Sequence, residues 1–103
     1  MTELERIIAK LRENMPFMAE RYGVKTLQVF GSYVRGEQKR RSDVDILVEF
    51  SKTIDLLDFI NLERRLSELL GVKVDLVMKE ALKTRLKDRI LDEAMSVCEV
   101  QRG

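Results

Sequence analysis

Val24-Lys25-Thr26-Leu27-Gln28-Val29-Phe30-Gly31-Ser32, ten further residues, then Asp43-Val44-Asp45-Ile46-Leu47-Val48-Glu49-Phe50: two short apolar, β-branched runs flank a Gly-Ser step and a polar stretch. Each run has the composition and length of a strand, so strands are predicted at 24–30 and 44–50. In a strand, alternate residues share a face. Val44, Ile46 and Val48 therefore point into a core, and Asp43 and Asp45 stand side by side on the other face. Two carboxylates at that spacing repel each other and gain nothing from packing. A divalent cation between them removes the conflict.

A third strand is predicted at 72–78, Val72-Lys73-Val74-Asp75-Leu76-Val77-Met78, with the same design. Val72, Val74 and Leu76 share one face and Asp75 takes the other. If this strand lies beside the second, Asp75 joins Asp43 and Asp45. Such a trio suits two Mg²⁺ ions, with substrate phosphates completing their coordination. Gly31 lets a ligand approach the backbone closely. Ser32 stands where its hydroxyl and free N–H groups at a helix start attract phosphate. Arg35 is placed to reach a phosphate or to pair with the acids. Lys39, Arg40 and Arg41 extend this basic segment, which equally reads as a solvated loop.

Outward from this centre the pattern is helical. Leu4, Ile7, Ile8, Leu11, Met15 and Met18 mark one face of a helix over 2–22. Thr2 and Glu5 form a capping-box pair at its start and Gly23 stops it. Pro16 predicts a kink or break near Asn14–Met15. A short helix or turn is expected at 32–38. Asp55–Leu70 carries Leu56, Phe59, Ile60, Leu62, Leu66, Leu69 and Leu70, a second amphipathic helix, and Gly71 stops it. Leu82, Leu86, Ile90, Ala94 and Val97 give the stripe of a last helix. Its basic residues (Lys79, Lys83, Arg85, Lys87 and Arg89) read as a solvated face or a partner surface. The order predicts a single two-layer α/β domain over 1–103, with helices packed on a small mixed sheet of three or more strands.

The 103 residues hold 19 basic and 18 acidic side chains, a formal net charge of +1. That near balance argues against generic nucleic-acid or membrane-surface binding, which needs a basic excess. One cysteine, Cys98, excludes an internal disulfide framework, in keeping with a cytoplasmic protein. The chain has no histidine, which removes imidazole acid–base chemistry and leaves hard, carboxylate-bound Mg²⁺ or Mn²⁺ as the expected metal. No apolar run approaches membrane-spanning length.

The stretch Gly31-Ser32-Tyr33-Val34-Arg35-Gly36 through Ser42-Asp43-Val44-Asp45 resembles the signature of the DNA polymerase β-type nucleotidyltransferase superfamily: Gly-Ser, a spacer, then Asp-x-Asp. Arg35-Gly36 and Ser42-Asp43 are similar to its small prokaryotic branch, the minimal nucleotidyltransferases or MNT proteins. Asp75 matches the family's third carboxylate. The resemblance implies a nucleotidyltransferase fold in which Gly31 and Ser32 bind the triphosphate of ATP or another nucleotide. It implies that Asp43, Asp45 and Asp75 ligate metal, with Asp75 assisting deprotonation of the attacking hydroxyl. Members transfer a nucleoside monophosphate to a hydroxyl and release pyrophosphate. MNT proteins are commonly antitoxins that place AMP on a tyrosine of a HEPN-domain ribonuclease toxin, so such a partner is implied here. The short chain itself points the same way, having little room for an acceptor pocket of its own. Three other readings stay open: an antitoxin acting by contact alone, a transferase acting on a small-molecule hydroxyl such as an aminoglycoside, and a nucleic-acid end-modifying enzyme. Base preference, the number of AMP units and oligomeric state are not legible.

Overall fold

The computed structural model describes residues 2–31, 43–81 and 95–99. Helix α1 spans Glu3–Tyr22, strand β1 Val24–Phe30, strand β2 Val44–Phe50, helix α2 Leu56–Leu70, strand β3 Val74–Met78 and strand β4 Met95–Glu99. A single 3₁₀ turn at Lys79–Ala81 follows β3. The strands form one mixed sheet in the order β3-β2-β1-β4. β1 is antiparallel to both β2 and β4, and β2 is parallel to β3 through the α2 crossover.

Both helices are delimited as their sequences predict. Thr2 N–H donates to Glu5 Oε1 at 2.8 Å and Glu5 N–H donates to Thr2 Oγ1 at 3.1 Å, the reciprocal pair of a capping box. Asp55 Oδ1 accepts from Asp58 N–H at the start of α2. Gly23 and Gly71 close the helices in the left-handed region, at φ 75° and 72°.

Of the kink or break expected at Pro16, the break does not occur: helix α1 runs through the proline. Ile7, Leu11, Met15, Met18 and Tyr22 are all buried, on both sides of the proline, while Pro16 itself faces solvent. Each buried side chain contributes about 1.5–3 kcal/mol, against about 3 kcal/mol for an interior proline. The packed face therefore outweighs the local penalty.

That face meets α2 through Leu62, Leu66 and Leu70, and the sheet through Leu27, Val29, Val44, Ile46, Val48, Val74 and Leu76. Val44, Ile46 and Val48 are fully buried, as alternation predicts. Leu47 is an addition: it shares the opposite face with Asp43 and Asp45, yet only 1% of it is exposed.

The last element needs a second correction. Val97 lies in β4, not in a helix. Its backbone pairs with β1, Leu27 opposite Cys98 and Val29 opposite Met95. β4 thereby covers an edge of β1 that would otherwise stand open, so long-range pairing overrides the helical spacing. The expected helix at 32–38 and the stripe positions Leu82, Leu86, Ile90 and Ala94 lie outside the described residues. No helix among the described residues is long and apolar enough to cross a membrane.

Candidate active site

The helices cover one face of the sheet, and the acids lie on the other. The β1–β2 register sets Phe30 opposite Asp45, and the β2–β3 register sets Asp45 opposite Asp75. Phe30, Asp45 and Asp75 therefore form one row across three strands, spaced at about 4.8 Å per strand. Asp43, just before β2, lies two residues from Asp45 on the same side. Val44 N–H donates to Lys73 O at 2.9 Å, which ties this strand start to the approach to β3. The second and third strands are thus neighbours, in parallel orientation, which meets the condition set for Asp75 to join the other acids.

Gly31 closes the row. Its φ of +81° is the left-handed conformation that favours glycine. A Cβ at Gly31 would collide with Asp45 Oδ2. The glycine thus has two causes, a turn at the end of β1 and a carboxylate seated where a side chain would begin. Asp45 leans toward β1 on one side of β2, whereas Asp75 stands on the other.

Asp43 and Asp45 are half-buried and Asp75 is exposed. Among the described residues, no three acidic side chains gather closely enough to hold a metal ion. The row brings the three backbones together, and like charges along it repel. The donor chemistry fits Mg²⁺ or Mn²⁺, since all three side chains are hard carboxylates. Ser32 and Arg35 lie outside the described residues.

Two residues not singled out from the sequence align the row. Ser67 Oγ accepts from Val74 N–H at 2.9 Å, and Glu63 Oε2 accepts from Leu76 N–H at 2.9 Å. These donors flank Asp75 on the outer edge of β3, where no further strand pairs among the described residues. Side chains of α2 supply the missing acceptors, so the edge is satisfied and Asp75 is held in register. Nothing in helical periodicity marks Glu63 or Ser67 for this task.

The profile of the nucleotidyltransferase domain family matches residues 8–97. A protein adenylyltransferase, MntA, of Thermococcus cleftensis is 50% identical over 97 residues, 94% of this chain and 98% of that protein. A solved minimal nucleotidyltransferase superposes with a TM-score of 0.76 at 40% identity, covering 91% of this chain and 95% of the other. The Shewanella oneidensis complex of a tri-AMPylated HEPN toxin with MNT antitoxin superposes at 0.61 with 26% identity, covering 95% and 71%. The chain belongs to the nucleotidyltransferase family, in its minimal branch. It is an enzyme of the nucleotidyl-transfer class, and the two-layer α/β architecture is that family's fold.

Proposed function

We propose that this chain transfers AMP from ATP to a tyrosine hydroxyl of a HEPN-type ribonuclease toxin and silences it as its antitoxin. The observation that carries the reading is the row of Asp45 and Asp75 in direct register, with Gly31 packed against Asp45. The likeness to protein adenylyltransferases and to a complex with an AMPylated HEPN toxin supports the choice of acceptor.

In this reading Gly31 and Ser32 hold the triphosphate and Arg35 offsets its charge. Asp43, Asp45 and Asp75 would hold Mg²⁺, which when bound would stabilise the phosphates as a Lewis acid and lower the pKa of the acceptor hydroxyl. Asp75, the exposed member of the row, accepts the hydroxyl proton. The tyrosine oxygen then bonds to the α-phosphorus, the bond to the β-phosphate oxygen breaks, and pyrophosphate leaves. The protein contributes alignment and charge stabilisation. Leu56 and Leu57, 72% and 73% exposed at the start of α2, with Ile60 at 42%, offer apolar area to a protein partner.

The test incubates the purified chain with host lysate, Mg²⁺ and ATP labelled on the α- or the γ-phosphate. Label entering one protein band from the α-position only, and lost with Asp43→Asn/Asp45→Asn, supports the proposal. If the same double variant still neutralises the toxin in cells, the chain acts by contact instead. Transfer to a small hydroxyl compound without any protein acceptor overturns the choice of substrate.

A further inference from the structure

The outer surface of the helical layer carries two adjoining cavities, on the side of the sheet away from Asp45 and Asp75. One, of about 300 Å³, lies between α1 and α2 and is bordered by Asn14, Phe17, Met18, Leu66 and Leu69. The other, of about 260 Å³, is bordered by Arg21, Tyr22, Asn61 and Arg64. Arg65 and Glu68 border both, so the two lie side by side with these side chains between them.

Their chemistry is divided. The first is largely apolar, and its Phe17 ring is 44% exposed. The second gathers three guanidinium groups in a chain of net charge +1. None of Arg21, Arg64 and Arg65 is ion-paired within the described residues. Two of them are nonetheless held in place. Arg21 lies over the Tyr22 ring at 5.0 Å, and Arg65 lies over Phe17 at 5.0 Å while its Nε donates to Tyr22 Oη at 3.4 Å. Stacking orders these groups without neutralising them and leaves their terminal N–H groups for an anion.

We propose that the two cavities form one binding site for a nucleoside monophosphate, separate from the acidic row. The base stacks against Phe17 and the Arg65 plane, a sequence-tolerant contact between π-faces. The phosphate takes the donors of Arg21, Arg64 and Arg65, whose forked geometry matches its oxygens. Glu68 adds an acceptor to the wall: its carboxylate can take the N–H and O–H donors of base and ribose, while three guanidinium groups outnumber it around the phosphate. Asn14 and Asn61 donate and accept at either end. The combined space suits a ligand the size of one nucleotide.

The test titrates the full ¹⁵N-labelled chain, in EDTA, with AMP, GMP, adenosine, inorganic phosphate and a short single-stranded RNA. The expected result is saturable shifts of the Phe17, Tyr22, Asn61 and Arg65 amides with a mononucleotide, and at least tenfold weaker binding of adenosine and of phosphate alone. Arg21→Ala/Arg64→Ala alters two exposed side chains and keeps Arg65 in its packing. It should leave the thermal midpoint in place and weaken the mononucleotide about tenfold or more, as loss of charge-assisted hydrogen bonds implies. Shifts confined to Gly31, Asp45 and Asp75, phosphate binding as tightly as the nucleotide, or no saturable binding would each overturn the proposal. So would binding of the RNA without the mononucleotides, which marks a surface for backbone phosphates.

Discussion

Gly31 carries two demands that no other residue type meets together. Its positive φ costs an L-residue about 1–2 kcal/mol, and Asp45 Oδ2 already occupies the space of a Cβ. Gly31→Ala should therefore lower the thermal midpoint modestly and shift the Asp45 carboxylate. Displacement of a reacting group by about 1 Å is enough to cost about 100-fold in rate. A measured loss of that order in AMP transfer, with circular dichroism unchanged, is the expected outcome; full activity in the alanine variant would refute the link. The composition around Gly31-Ser32 makes the glycine legible as a turn, but the collision with Asp45 arises only when β1 and β2 pair.

Elements are held by their ends and edges. In α1, Glu5 is held below the ordinary glutamate value by hydrogen bonds from the Thr2 backbone and side chain, and Glu3 by its hydrogen bond from Arg6. A carboxyl with a lowered folded pKa stabilises the fold above its unfolded pKa and loses that contribution as pH falls through the folded one. The midpoint difference between the native chain and Glu5→Gln should therefore be present at pH 6 and shrink on acidification toward pH 3. In α2, Ser67 and Glu63 satisfy N–H groups of β3. Ser67→Ala and Glu63→Leu should each cost about 1–3 kcal/mol by denaturant unfolding, since each orphans a backbone donor. Glu63→Gln keeps an acceptor oxygen and should recover most of the loss. Activity should fall with register in the leucine variant and return in the glutamine one.

The molecule as a whole separates its apolar core from the acidic row across the sheet. The apolar core lies between the helices and one face, and the acids lie on the other. Leu56 and Leu57 belong to neither, being exposed at the start of α2. Leu56→Ser/Leu57→Ser should leave unfolding free energy within about 0.5 kcal/mol, as for surface changes generally. The same change should weaken capture of the protein acceptor in a pull-down with purified partner. Unchanged capture would remove these residues from the partner surface.

Local physics was legible in the amino-acid order. The Thr2–Glu5 cap, the glycine stops and the alternation of Val44, Ile46 and Val48 each depend on neighbours only a few residues away. The aspartates were legible for the same reason, as polar positions interrupting apolar strands. Pro16 misled because a residue-level penalty was set against burial that only packing supplies. Val97 misled because helical spacing is a local pattern, whereas β4 exists by pairing with β1. Tertiary structure alone decided that Asp45 lies in register with Asp75, that Gly31 gives way to a carboxylate, and that Glu63 and Ser67 serve the edge of β3. Those contacts join residues 7 to 30 positions apart, and strand register is set by hydrogen bonding and burial across that separation.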